Sequence, residues 1–424
     1  MRVGLPRGPV SPLAVPPSAR AVAIPGGGVD PGDPGPHAAG WRTVSVTDPD
    51  GGTFAALLTY PARTATEGAA PDAAGAPYPA VAFGHGFFQA PERYQGTLRH
   101  LASWGYVTIA PASHAGLTPD HAAFAADLYQ SLDWLVARSS EPDAWWTGLV
   151  DPAALGASGH SMGGGASLLA AAEAATIRAV VSLAAAETRP SAAAVLPRVD
   201  APLAFIVGQA DRIVPPASTA ALYEAAGPPR QLLELGGGTH CGFQDDPFPL
   251  VCDGGRDEGQ LPRTRRLLTA FFELYLRGDA RWTEWVWGPS PYDGEVAAAR
   301  VDPGLSLLPA KSSVLVPAGG TAEAPFTVTN TGRAAARFGL MVSSGTWPAA
   351  LSADTTPELT PGTAFRGTVT FGRPAGAPLP ANPLSYTIRA TAPDGRGAAF
   401  AIVLVDGRAP GAGPLTLPWL ERPP

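Results

Sequence analysis

Lysine is almost missing from this chain: Lys311 stands alone among 29 basic residues, the others being arginine. The bias reflects genomic base composition, and no function is read from it. Cysteine is scarce too, with two in 424 residues. That leaves no Cys/His cluster of the metal-binding kind, and no phosphate-binding glycine loop is present, so no metal or cofactor is expected. Charged residues make up only 15%, and acidic ones outnumber basic ones by 36 to 29, for a net charge of −7. A general nucleic-acid binder needs a basic face to displace counterions from phosphates, and this balance excludes it. Long apolar runs are also lacking. No stretch of about 18 apolar residues occurs, so no transmembrane helix is expected.

What the chain does hold is apolar residues at 45%, 50 glycines and 48 prolines, the composition of a globular protein with many turns. Its length predicts two or three domains. The one basic run, Arg263-Thr264-Arg265-Arg266, is expected on the solvated face of a helix that continues into Leu267, Leu268, Phe271 and Phe272. Arg2 and Arg7 precede an apolar stretch that Pro9, Pro12, Pro16 and Pro17 interrupt, a poor signal-peptide core. Either export information has been removed or this start is not the native one.

Residues 1–38 are Pro/Gly-rich without periodicity and read as a flexible leader. From Trp41 strands and helices alternate: strands over 42–47, 53–60, 79–83, 106–110, 154–158, 177–183, 203–207 and 231–235, helices over 92–104, 121–137, 166–175, 217–226 and 264–276. The alternation predicts an α/β domain over 39–300, a doubly wound, mostly parallel sheet with an antiparallel entry edge. The gap between 183 and 203 is too short for a cap domain, so the site should be open. Near residue 300 the pattern changes to short β-branched or aromatic segments at 313–316, 324–328, 338–342, 368–371, 384–390 and 400–405. These predict an all-β sandwich over 303–408, followed by a Pro/Gly-rich tail over 409–424.

Gly159-His160-Ser161-Met162-Gly163 falls between a short apolar strand and an Ala/Leu-rich helix. In that context G-x-S-x-G is a nucleophile elbow, a turn so sharp that side chains at 159 and 163 would collide. A serine hydroxyl becomes nucleophilic only with a base to take its proton and a third group to orient the base. In this arrangement the order is Ser, acid, His. Of seven histidines only His240 follows both Ser161 and the next strand end, and Gly236-Gly237-Gly238-Thr239 gives it a flexible loop. Asp211, just beyond strand 203–207, is the expected acid, with Glu187 the second candidate. Oxyanion donors are expected from the N–H of Met162 and, in Gly84-His85-Gly86-Phe87-Phe88, of Phe87. Phe87, Phe88 and His160 are expected to touch substrate, the alternative for the two phenylalanines, and more for Phe88 than for Phe87, being a place in the core. Cys241 and Cys252 read most simply as a disulfide, worth about 2–3 kcal/mol and able to steady the loop of His240, the alternative being two reduced thiols.

Residues 41–281 resemble the α/β-hydrolase superfamily, in particular the group of cutinases, polyester (PET) hydrolases, dienelactone-hydrolase-like proteins and chlorophyllases. The resemblance rests on Gly159 to Gly165, on Pro202-Leu203 through Asp211-Arg212-Ile213-Val214-Pro215, and on Leu233-Glu234-Leu235 through Thr239-His240. His85-Gly86-Phe87 through Gly105-Tyr106 looks more like chlorophyllases. The resemblance implies Ser161, Asp211 and His240 as a triad, with Phe87 and Met162 as oxyanion donors. Where polyester hydrolases carry a tryptophan, this chain reads Ala184-Ala185-Ala186-Glu187, which argues against aromatic polyester as substrate. Thr327 to Gly332 resembles the strand-turn of immunoglobulin-like modules in bacterial extracellular proteins. The expectation is a secreted or cell-surface serine carboxylesterase for short- or medium-chain or polymeric esters. The sandwich is then a polymer binder, a cell-surface binder or a spacer. The alternatives are an acyltransferase on the same triad and a surface-binding protein that carries a hydrolase domain.

Overall fold

The computed structural model describes residues 29–142, 144–247, 252, 258–288 and 296–408. The expected tail and residues 1–28 of the expected leader lie outside the described residues. Residues 29–37 do not behave as a leader. Asp30 forms a paired carboxylate–guanidinium contact with Arg266, Gly35 donates its N–H to Ser103 Oγ, and His37 Nδ1 faces Asp72 at 3.1 Å.

The first unit runs β1 (Ala38–Thr47), β2 (Thr53–Ala62), β3 (Tyr78–Gly84), α1 (Gln95–Ser103), β4 (Val107–Pro111), α2 (His121–Ser140), β5 (Val150–His160) and α3 (Met162–Glu173). It continues with β6 (Ile177–Leu183), α4 (Ala192–Val195), β7 (Leu203–Gly208), α5 (Pro216–Ala225), β8 (Arg230–Leu235), α6 (Gln260–Tyr275), α7 (Thr283–Trp287) and β9 (Val296–Asp302). The nine strands form one sheet in the order β1-β2-β4-β3-β5-β6-β7-β8-β9. From β4 to β8 every pairing is parallel, and β1, β2 and β9 join antiparallel. Strands β3, β4 and β7 are buried along their whole length, as strands covered on both faces must be. Phe83, Ile109, Val181, Phe205, Phe271 and Phe272 sit in that core.

Three differences from the sequence reading have identifiable physical causes. Helix α3 starts at Met162 rather than 166. Its first turn contains Gly163, Gly164 and Gly165, poor helix formers kept because a Cβ on Gly163 would lie 2.1 Å from the Gly84 carbonyl oxygen. The helix expected over 92–104 divides into a 3₁₀ turn, Pro91–Tyr94, and α1. Strand β9 was not anticipated: Val-Ala-Ala-Ala-Arg-Val-Asp has little β propensity, its side chains are mostly exposed, and its conformation is imposed by pairing with β8.

The second unit holds β10 (Leu305–Leu308), β11 (Lys311–Leu315), β12 (Thr321–Asn330), β13 (Gly339–Val342), β14 (Ala349–Leu351), β15 (Ala364–Gly372), β16 (Leu384–Thr391) and β17 (Ala398–Asp406). They make two four-stranded sheets, β10-β12-β15-β14 and β11-β17-β16-β13, around one core that includes Phe326, Trp347, Phe371, Tyr386 and Val403. Burial alternates along β12, β15 and β16, the period-2 pattern of strands with one face inward. Strands β10 and β14 are too short to leave a readable pattern. Two residues separate β9 from β10, and the 392–397 turn docks on the first unit: Gly395 and Arg396 carbonyls accept from Thr283 Oγ1 at 2.9 Å and Trp287 Nε1 at 2.8 Å.

Candidate active site

Ser161 occupies the turn between β5 and α3 with φ 56° and ψ −117°, a left-handed conformation that costs a non-glycine residue about 1–3 kcal/mol. The surroundings hold it there. Its N–H donates to the Leu183 carbonyl at 2.9 Å, and its own carbonyl accepts from Ala186 at 2.9 Å and Gly165 at 3.1 Å. A Cβ on Gly159 would stand 2.4 Å from the Gly163 carbonyl oxygen, so both glycines are steric requirements of the turn. Helix α3 starts immediately after Ser161. Its first N–H groups, Met162 among them, have no intrahelical acceptors and lie at the positive end of the helix dipole.

Asp211 follows β7 and His240 follows β8, neighbouring parallel strands. Their loops touch through backbone: Ala210 N–H donates to the Gly238 carbonyl at 2.8 Å, and a Cβ on Gly208 would meet that same oxygen at 2.4 Å. This contact brings Asp211 Oδ2 to 2.8 Å from His240 Nδ1. Both side chains are buried, which shields the pair from competing water. Glu187, the other candidate acid, instead accepts the N–H of Ala193 in α4 at 3.3 Å.

Behind His240 the site is supported by Gln260, which the sequence gave no reason to single out, by the expected disulfide and by the basic run. Gln260, at the start of α6, accepts the N–H of Thr239 at 2.9 Å and donates to its carbonyl at 2.8 Å, clamping the peptide before His240. Cys241 and Cys252 form the disulfide. Arg265 pairs with Asp245, which also accepts the N–H of Gly96 at 2.7 Å. Arg263 donates to the carbonyls of Gly259 and Gly236, and Arg266 pairs with Asp30. The basic run is therefore a set of ties between loops, not the solvated face expected of it.

His160, expected to touch substrate, is a buried residue in the free protein. Only 1% of it is exposed, and its ring packs against Tyr94, Phe243 and His240, the last at 4.5 Å between centroids. These rings enclose it beneath the surface, one residue before Ser161. Burial, then the neighbouring His240, hold its pKa well below the ordinary histidine value. Phe87 and Phe88 do stand at the surface, 43% and 47% exposed, on the loop after β3. Phe88 has φ 55°, and the ring centroids are 6.4 Å apart. That loop is fixed by buried His85, whose Nδ1 and Nε2 each lie 2.9 Å from a carbonyl, of Gly86 and Ser113. Burial, opposed by those two carbonyls, lowers the pKa of His85.

Between β6 and β7 there are only α4 and a 3₁₀ turn, Leu196–Arg198, so no inserted domain covers the serine. A cavity of about 750 Å³ lies elsewhere, lined by Arg178, Pro202, Tyr275 and Arg396, with no residue of the elbow in its wall. Among the described residues no group of three or more His, Cys, Asp and Glu could hold a metal ion, and no helix is long and apolar enough to cross a membrane. The buried His240–Asp211 pair meets the elbow through the ring of His160, the residue before Ser161.

Comparison with known proteins relates this chain to a family and to a curated lipase. The family model described as PETase, PET hydrolase-like, matches residues 35–248, the span that holds Ser161, Asp211 and His240. Lipase 1 of Moraxella sp. (strain TA144) is 33% identical over 141 residues, which is 33% of this chain and 41% of that lipase. The match spans less than half the length of this relative.

Proposed function

The chain belongs to the PET hydrolase-like family, and from that premise we propose that it is a serine carboxylic-ester hydrolase working through an acyl-enzyme. The observation that carries the reading is the 2.8 Å contact between Asp211 Oδ2 and His240 Nδ1, with the His240 ring 4.5 Å from that of His160, the residue before Ser161. With Nδ1–H donated to Asp211, His240 presents a basic Nε2. That nitrogen takes the Ser161 proton as Oγ attacks the ester carbonyl. Negative charge then develops on the carbonyl oxygen, and the N–H groups of Met162 and Phe87 are its donors. The tetrahedral intermediate collapses, His240 returns the proton to the leaving alcohol, and the acyl group remains on Ser161. Water, deprotonated by the same nitrogen, attacks the acyl carbonyl; the carboxylic acid leaves and Ser161 recovers its proton.

The absence of an inserted domain between β6 and β7, and the exposed rings of Phe87 and Phe88, favour bulky or polymeric esters over small dissolved ones. An elbow between a central parallel strand and a helix is the setting the α/β-hydrolase fold requires, and residues 39–300 are assigned to it. The region 303–408 is assigned as an immunoglobulin-like sandwich. Taking β10, β12, β13, β14, β15, β16 and β17 as strands A to G puts A-B-E-D in one sheet and C-F-G in the other, with β11 added beside β17. The Cys241–Cys252 bridge favours an oxidising, extracytoplasmic location.

Hydrolysis of p-nitrophenyl esters across acyl lengths, with wild type against Ser161→Ala, tests the reading. Turnover is expected in the wild type and its loss in the variant. Full turnover by Ser161→Ala would refute the mechanism.

A further inference from the structure

Tyr94 ends the 3₁₀ turn before α1 and is completely buried, and its hydroxyl meets three segments that border different sides of the site. The N–H of Gly86, the residue before Phe87, donates to it at 3.1 Å. The side-chain amide of Gln244, just after the turn that bears His240, donates to it at 3.2 Å. His160 Nδ1, one residue before Ser161, lies 2.8 Å away.

With the NH₂ of Gln244 turned to the tyrosine, the proton count leaves one arrangement. A backbone N–H and an amide NH₂ can only donate, so the tyrosine oxygen accepts both of them. Its single proton goes to the third neighbour, His160 Nδ1, and burial raises the Tyr94 pKa above the ordinary tyrosine value. A neutral histidine that accepts at Nδ1 carries its hydrogen at Nε2. The ring is thus fixed in one tautomer and one orientation against the ring of His240. Space is matched as well: a Cβ on Gly86 would come within 3.1 Å of the Tyr94 oxygen and 3.3 Å of His160 Nδ1.

We propose that Tyr94 is a positioning residue: its one hydroxyl ties the Phe87 loop, the Ser161 elbow and the His240 turn to a common point, holding oxyanion donor, nucleophile and base in register before substrate arrives. The proposal rests on the serine-esterase reading above. Tyr94 touches no substrate. It acts by preorganisation, where displacements of about 1 Å can cost two orders of magnitude in rate.

The test is Tyr94→Phe in the full chain, with Ser161 titrated by a p-nitrophenyl phosphonate so that kcat refers to reactive sites alone. We expect kcat per titrated site to fall about tenfold or more with KM within about twofold, and the ¹⁵N signals of His160 to lose the fixed Nε2–H tautomer. An unchanged kcat per titrated site would overturn the proposal, since a merely structural tyrosine alters the number of sites and not their rate. If Tyr94→Phe does not fold, Gln244→Ala removes one of the three ties. A lowered kcat per site supports the proposal, and an unchanged one overturns it. Failure of the wild type to react with phosphonate at Ser161 would instead refute the serine-esterase reading itself.

Discussion

The carboxylate of Asp211 serves His240 with one oxygen and its own loop with the other. Oδ2 lies 2.8 Å from His240 Nδ1, and Oδ1 accepts the N–H groups of Ile213 and Val214 at 2.9 and 2.7 Å. Asparagine can keep the second role and not the first. With its oxygen on the loop, Asp211→Asn turns an NH₂ towards His240 and forces the wrong imidazole tautomer. We expect kcat to drop on the order of 10⁴-fold with the melting temperature nearly unchanged. Glu187→Gln, whose carboxylate caps α4, should leave kcat within about twofold.

The elbow should tolerate no added methyl group. Gly163→Ala places a carbon 2.1 Å from the Gly84 oxygen, and we expect about 3 kcal/mol of destabilisation and loss of esterase activity. Gly339→Ala, on β13 with nothing within 4 Å of the added carbon, is the control and should be neutral in a thermal melt.

Histidine burial sets an acid limit on stability. Burial, reinforced by Arg265, lowers the pKa of His100 to about 4, against roughly 6.5 in the unfolded chain. Above about pH 6.5 both states are neutral and the contribution is complete. As pH falls towards 4 the unfolded chain takes up the proton first, and on the order of 3 kcal/mol is lost. His100→Gln should flatten that part of the stability profile, measured as urea midpoints at about pH 7 and pH 4.5.

The junction between the units should matter for stability and not for chemistry. Trp287 is buried, with its indole N–H on the Arg396 carbonyl. Trp287→Ala should cost about 3 kcal/mol in denaturant unfolding while kcat per titrated Ser161 stays unchanged.

Opening the Cys241–Cys252 bridge frees the segment after His240 from a loop of separation 11. Cys241→Ser with Cys252→Ser should lower stability by about 2–3 kcal/mol. Reducing agent should produce the same shift in the wild type and none in the double variant.

What could be read from sequence was set by short-range constraint. The elbow announces itself because its glycines are steric requirements a few residues apart, and the alternation of strand and helix follows from local periodicity. What escaped was set by residues distant in sequence. Tyr94, Gln244 and Gln260 acquire their roles only when loops from three strands converge. The arginines at 263, 265 and 266 looked solvated because their partners, Gly236, Asp245 and Asp30, are supplied by other parts of the fold. The burial of His160 was not legible either, since Tyr94, Phe243 and His240, which enclose its ring, come from other parts of the chain. Strand β9 was invisible because its neighbour, not its own side chains, makes it a strand.

Lys311 opens β11 in the second unit, and no other side chain in the 424 residues carries a primary amine. Amine-directed coupling to a solid support therefore has a single side-chain address, on a sheet that shares no strand with the one bearing Ser161. Molecules coupled through that side chain would share one point of attachment, where a lysine-rich surface gives a mixture of orientations.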